Sequence, residues 1–245
     1  MRVRAISTSR LINIVVAASL AGFCALVIWF AAPVYSNSLI AQRSMDTVAA
    51  LERGEEVSET RLRATLAAIG PIDPERPAIG ERLVNQSILT LALAQRLPPY
   101  GPEYIDALIQ ARSLAEARLG RAPLDTHTWV RFAYAEYLLN GPSEATFEAL
   151  RMSHVAGPYE VHAFWPRLRL GSILWTVLDE DLKEKTILQG VALWQIPRER
   201  WRLARYFFEM PEGAQLGLRT AMETASNPQE FEDMIALEVG RQGSD

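Results

Sequence analysis

The sequence predicts an all-α protein: one N-terminal transmembrane helix followed by a domain of short helical hairpins. Three observations carry that reading. No charged residue occurs from Leu11 to Gln42, a stretch long enough at 1.5 Å per residue to cross a hydrocarbon layer of about 30 Å. The dipeptide Gly-Pro recurs at 101–102, 141–142 and 157–158, each time joining a helix stop to a helix start. No stretch alternates apolar and polar residues in the manner of a half-buried strand.

The N-terminal element comes first in the argument as in the chain. Arg2, Arg4 and Arg10 precede the apolar run, and the first ten residues contain no acid. The positive flank predicts a cytoplasmic N-terminus, with the remainder across a bacterial inner membrane in the periplasm. Trp29 and Tyr35 fall towards the outer end, where an aromatic belt belongs. A cleaved signal peptide is the alternative, but its apolar core runs only about 7–15 residues and ends in small residues; here the run is longer and no A-x-A closes it. Gly22 and Ala25, in SLAGFCA, offer a small-residue face for helix packing in the bilayer. The sole cysteine, Cys24, lies within the span, so the exported part must rest on its apolar core. The expected organisation is a basic N-terminus over 1–10, a signal anchor over 11–35, a helical and extended linker over 36–79, a helical domain over 80–209, and a C-terminal helical segment with a frayed end over 210–245.

Within the linker, RLRATLAAIG reads as a short helix ended by Gly70, and PIDPERPAIG as a bend. Helices follow from about Gly80. One begins with Pro102 and stops at Gly120. The next has Asp125 as its N-cap and stops at Asn140-Gly141. A third, PSEATFEALRMSHVAG, closes at Gly157. Pro166 predicts a turn or kink just after Trp165. Asp179 is placed to cap DLKEKTILQGVALWQ. The last 36 residues show one good helix start, with Asn227, Pro228 and Glu230 at cap, first-turn and N3 positions.

The pair over 125–157 has a repeat-like register. Trp129, Phe132 and Ala133 match the spacing of W-x2-L-G in a tetratricopeptide unit, Ala145 falls at the small position of its second helix, and Pro123 and Pro158 lie about one period apart. Ala133 and Ala145 would let two helices approach while Trp129 fills the gap beside them. The expectation is an irregular, tetratricopeptide-like domain.

Charge and chemistry narrow the function. A net charge of −4 excludes no small ligand but argues against nucleic acid as a partner. The three histidines, His127, His154 and His162, lie on three predicted helices with no HExxH and no i,i+4 pair; a zinc site with Glu160 or Asp125 is the less favoured reading. No nucleophile elbow or phosphate-cradling loop occurs, so neither an enzyme nor a cofactor is expected. Arginine is more informative. Arg198, Arg202 and Arg205 share one helical face beside Trp201, and Trp165, Arg167 and Arg169 stand in the strip GPYEVHAFWPRLRLGSILW. Such a surface suits an acidic protein, an acidic polymer or a lipid headgroup, unless Glu199 and Glu209 neutralise it. The aromatics Trp165 and Trp175 read most simply as interhelix core.

The chain also resembles a known family. PLD at Pro123 to Asp125, W-x-R-x-A-x-A from Trp129 to Ala135, A-L-R-x-S from Ala149 to Ser153, GPYE from Gly157 to Glu160, and an R-L-x-L-G run ending at Gly171 are similar to membrane-anchored, tetratricopeptide-like accessory proteins of bacterial exopolysaccharide production. The resemblance covers about a quarter of the chain and implies a non-enzymatic scaffold beside polymer-synthesis and export proteins, with no catalytic residues. Two other readings stay open: a structural subunit of another membrane machine (respiratory, photosynthetic or secretory), and a periplasmic protein binding or processing acidic sugars. A concave pocket holding Arg167, Arg169 and a histidine would favour the last; a shallow apolar groove would favour the scaffold.

Overall fold

The computed structural model describes residues 8–72, 80–224 and 227–242. Among these are eleven α-helices and no strand. Two compact units divide the chain, Met1–Leu89 and Thr90–Asp245. Of the sequence expectations, the basic residues Arg2 and Arg4, the proline-rich bend over 73–79 and the final three residues lie outside the described residues.

The first unit is dominated by α1 (Thr8–Glu52), which runs unbroken through Pro33. One helix, over Val16–Glu52, is long and apolar enough to cross a membrane; its most apolar window has a mean hydropathy of 2.0 and no buried residue. The same helix continues past residue 35 into the segment expected to be a helical and extended linker. Just past the proline, Ser36 Oγ and Asn37 Nδ2 both donate to the Pro33 carbonyl, at 3.0 and 2.7 Å, and the helix continues. Beyond residue 40 its character changes from uniformly apolar to amphipathic. Ala41, Ser44, Thr47 and Val48 are buried, the i, i+3, i+4 stripe of a helix with a packing partner. That partner is α2 (Glu59–Ile69), which buries Leu62, Thr65 and Ile69. Ser58 caps α2, and Gly70 ends it at φ +70°, a conformation that favours glycine. Polar links close the unit. Thr47 and Thr65 hydroxyls are 3.1 Å apart; Arg82 donates to Asn37 Oδ1 at 2.7 Å and to the Ile69 carbonyl at 2.8 Å.

The second unit is a succession of helical hairpins, entered from α3 (Gly80–Ala94), whose last turn it contains. It continues through α4 (Pro102–Leu119), α5 (Thr126–Asn140), α6 (Glu144–Ala156), α7 (Val161–Ile173), α8 (Glu180–Trp194), α9 (Arg200–Phe207), α10 (Glu212–Glu223) and α11 (Pro228–Gln242). Local chemistry sets the ends. Asp125 Oδ1 accepts from the Thr128 amide at 3.1 Å, Ser143 Oγ from Thr146 at 3.2 Å, and Asp179 Oδ1 from Leu182 at 2.8 Å, each quenching an amide that has no intrahelical partner. Pro166 causes no break: α7 passes through it. Both Pro166 and His162, whose carbonyl loses its helical partner there, are on the exposed side of the helix, where that loss costs least.

Two apolar clusters meet at α7. Leu170 and Leu174 join Ala133, Ala149, Leu150, Leu178 and Leu182, with Trp129 and Phe132 packed against them. Phe164, Trp165 and Leu168 join a larger cluster running through Trp194 and Phe207 to Phe231 of α11. There Phe231 meets Trp194 and Phe207 edge-on, at 5.3 and 5.8 Å. Each such pair adds about 0.5–1.5 kcal/mol to the burial itself. The helices α10 and α11 are therefore part of this core. The helix α10 had no clear sequence signal because it carries Gly213 and Gly217, poor helix formers. A Cβ on Gly213 would stand 2.5 Å from Trp175 Nε1, and one on Gly217 3.2 Å from Ile187 Cδ1, so the glycines admit neighbours that any side chain would displace.

Among the repeat-packing residues, Ala133 is fully buried, Phe132 and Trp129 half-buried, and Pro158 exposed. Trp129 is fixed by its indole N–H, which donates to the Pro123 carbonyl at 2.7 Å. Ala145 corrects the register expectation. It is exposed, and the side of α6 turned inwards is Thr146, Ala149 and Leu150. Ser143 starts α6 one residue after Pro142, which rotates Ala145 outwards.

Candidate functional site

The residues expected to form one cationic, aromatic surface separate into a buried set and an exposed set. Arg167 is fully buried. Its guanidinium donates to the carbonyls of Ser153 and Gly157 (the latter at 2.9 Å), to Ser153 Oγ at 3.2 Å and to Gln189 Oε1 at 3.4 Å. Ser153 and Gly157 lie at the C-terminal end of α6, where carbonyls lack helical partners and the dipole favours a cation. Arg167 thus closes α6 and ties it to α8; it is not a contact surface. Its acceptors are all neutral oxygens, and burial pushes its pKa down to about 10, against a weaker pull from Glu160. Trp165 is also buried, packed edge-on to Tyr206 at 5.8 Å and donating to Glu199 Oε2 at 2.8 Å.

The exposed set is Arg169, Arg198, Trp201 and Arg205, with Arg202 half-buried beside them. Arg169 lies 5.6 Å from the Tyr206 ring and Arg202 4.3 Å from that of Trp165, positions favourable for cation–π attraction. Burial lowers the Arg202 pKa, and the charge of Arg169 adds to the effect, so the two guanidiniums sense one another. Glu199 stands 3.5 Å from Arg198 and 3.7 Å from Arg202, while Glu238 of α11 stands 3.6 Å from Arg205. The neutralising partner of Arg205 is therefore a residue 33 positions on, out of reach of any local reading, and not Glu209. Trp201 is 43% exposed, with Arg241 5.2 Å from its ring.

A concavity lies elsewhere. His154 and Val155 of α6, Pro158 and Tyr159 of the link, Phe164 of α7, and Lys185, Leu188, Gln189, Val191 and Ala192 of α8 line a groove of about 450 Å³. Arg167 sits behind it through Gln189 and Ser153, and Arg169 does not reach it. Burial, with the charges of Arg167 and Lys185, pushes the His154 pKa down to about 3, so its imidazole is neutral. Its Nε2 is buried without a hydrogen-bond partner. The sequence carried one trace of the groove: Leu188 stands apolar on α8 about 100° round from the core position Ile187.

The other two histidines, on α5 and α7, do meet. The His127 and His162 rings are 6.2 Å apart, and His127 Nε2 lies 3.6 Å from Glu160. Among the described residues no group of three His, Cys, Asp or Glu side chains is arranged to hold a metal. On α1, Gly22 has no atom within 4 Å of where its Cβ would be, and Ala25 is exposed. Comparison with known protein families, with characterised proteins and with solved structures returned no match.

Proposed function

We propose that this protein is a non-enzymatic, membrane-anchored scaffold. In this reading α1 spans a bacterial inner membrane with its N-terminus in the cytoplasm, and the tetratricopeptide-like hairpins of the second unit hold other envelope proteins. The observation that carries the reading is the cationic face shared by the short turn Pro197–Glu199 and α9. Arg198 and Arg205 project into solvent with side chains 76% and 67% exposed, beside a half-exposed tryptophan. Arginine and tryptophan are the residue types that dominate interaction hot spots, and such a face complements an acidic partner surface. The groove, lined mostly by apolar residues and by neither Arg167 nor Arg169, supports the same class of function over sugar processing. Cell-surface polysaccharide production as the setting rests on the sequence resemblance alone.

The test starts from native membranes holding the full chain with a C-terminal tag. These are crosslinked lightly, solubilised and purified, in parallel with an Arg198→Glu/Arg205→Glu variant. A polymer-synthesis or export protein recovered with the wild type and lost with the variant supports the scaffold and its setting. Proteins of another machine, lost in the same way, keep the scaffold and discard the polysaccharide setting. A wild-type chain that purifies alone as a monomer refutes the scaffold.

A further inference from the structure

In the first unit the exposed surface of α1 ends at a defined level. Every residue from Val16 to Ser36 is exposed, Asn37 is half-buried and Ala41 is buried. At that level stands Arg82, from the first turn of α3, whose Nη1 donates to Asn37 Oδ1 at 2.7 Å. Asn37 is two residues past Tyr35, about 3 Å along the axis. With α1 in a bilayer, Arg82 is therefore held at the outer edge of the apolar run, just beyond the aromatic belt, where lipid headgroups begin.

The bonding of Arg82 leaves its charge without a counter-ion. Its Nη2 donates to the Ile69 carbonyl at 2.8 Å and to the Pro71 carbonyl at 3.3 Å, so all its acceptors are neutral oxygens. Burial lowers its pKa, and among the described residues no carboxylate opposes that effect or pairs with the guanidinium. The adjacent acid, Glu81, is exposed and about 100° round the helix. Other arginines of the unit do have acids: Arg53 pairs with Glu55, and Arg63 with Glu59. The Pro71 bond is the longest of the three, and Pro71 itself is exposed. Charged oxygens accept from a guanidinium about twice as strongly as neutral ones, so a phosphate oxygen can take the place of that carbonyl.

We propose that Arg82 holds the phosphate of an anionic glycerophospholipid in the leaflet on that side of the membrane. The planar guanidinium suits a phosphate, and a lipid of net negative charge supplies the missing counter-ion. The site rests on the reading of α1 as a membrane-spanning anchor and is independent of the scaffold role.

The full chain is reconstituted in nanodiscs of phosphatidylcholine and phosphatidylglycerol in equal amounts, and the lipids retained on release are identified by native mass spectrometry. The wild type is expected to enrich phosphatidylglycerol, and Arg82→Gln to lower that enrichment about five-fold. Asn37→Ala removes the same tie to α1 but keeps the cation. Arg43→Gln removes an exposed cation about 9 Å farther along α1 than Asn37. Each of these two should change the enrichment less than about two-fold. Solid-state NMR of the wild type reads the contact directly: lipid phosphorus should dephase the Arg82 guanidinium nitrogens, and added inorganic phosphate should not abolish the effect. The proposal is overturned if dephasing is absent, if inorganic phosphate abolishes it, if Arg82→Gln retains the wild-type enrichment, or if Asn37→Ala or Arg43→Gln matches Arg82→Gln. Alkaline carbonate extraction of native membranes keeps the two readings apart. A chain that is released has no spanning anchor, and both fall; a chain that stays without preferring phosphatidylglycerol refutes the lipid site alone.

Discussion

His154 makes the stability of the second unit depend on pH in a window where carboxylates are silent. Its pKa falls from the ordinary 6.5 to about 3 in the folded chain, through burial first and then through the charges of Arg167 and Lys185, with Asp181 opposing weakly. The unfolded chain therefore takes up a proton below pH 6.5 that the folded chain refuses until about pH 3. Stability is fully present above 6.5 and is lost as pH falls. From pH 7 to pH 5 the loss is about 2 kcal/mol, at 1.36 kcal/mol per pH unit below the unfolded value. Asp125 and Asp179, whose pKa values are lowered from 3.8, contribute only at lower pH. His127, also lowered by burial and by Arg131, adds in the same direction. Urea unfolding of the full chain in nanodiscs, followed by tryptophan fluorescence, measures the slope, and His154→Gln isolates the part due to this residue. The reasoning fails if the variant loses as much stability between pH 7 and 5 as the wild type, or if the His154 ring titrates above pH 5 by NMR.

Two further substitutions probe the packing that positions the groove. Arg167→Met strands the Ser153 and Gly157 carbonyls and Gln189 Oε1, at about 1–3 kcal/mol each, offset by no longer burying a charge; a net loss of about 3 kcal/mol is expected, and a change under about 0.5 kcal/mol in urea unfolding refutes the capping role. Gly171→Ala drives a methyl group into Thr186, whose Cγ2 would be 2.6 Å away, and should cost about 1–3 kcal/mol, whereas Gly22→Ala, with open space around it, should leave the same midpoint unmoved.

What was legible in the sequence was mainly punctuation. Asp125, Asp179, Gly70 and Gly141 ended or began helices where their chemistry demanded, because capping is decided within a few residues. The aromatic strip at 157–175 was legible as a seam, and Trp165 and Phe164 do lie in the core. What could not be read was where long side chains end. Arg167 and Arg169 are two residues apart in one helix, yet one is fully buried and the other exposed. Helical periodicity puts the two about 200° apart, but which of them is buried depends on backbone carbonyls supplied by the end of α6, which no pattern of side chains announces. Glycine misled in the opposite direction. At 213 and 217 it lowered the helical signal of α10, although its purpose there is to let Trp175 and Ile187 approach. Pro166 likewise suggested interruption, but a single missing amide on an exposed face does not end a helix held on either side.

The unbroken course of α1 has a mechanical consequence. A loop after residue 35 would act as a swivel, and whatever the chain carried could turn freely above the bilayer. Seventeen residues of the same helix follow instead, to Glu52, a rod of about 25 Å whose far half is clamped by α2. With the apolar part seated in a bilayer, tilt or rotation of that part is delivered to the α1–α2 pair with little slack, in the way a shaft delivers torque. Inserting one residue after Asn37 would turn the clamp by about 100° relative to the membrane-facing side, a change of phase that leaves length and composition almost untouched.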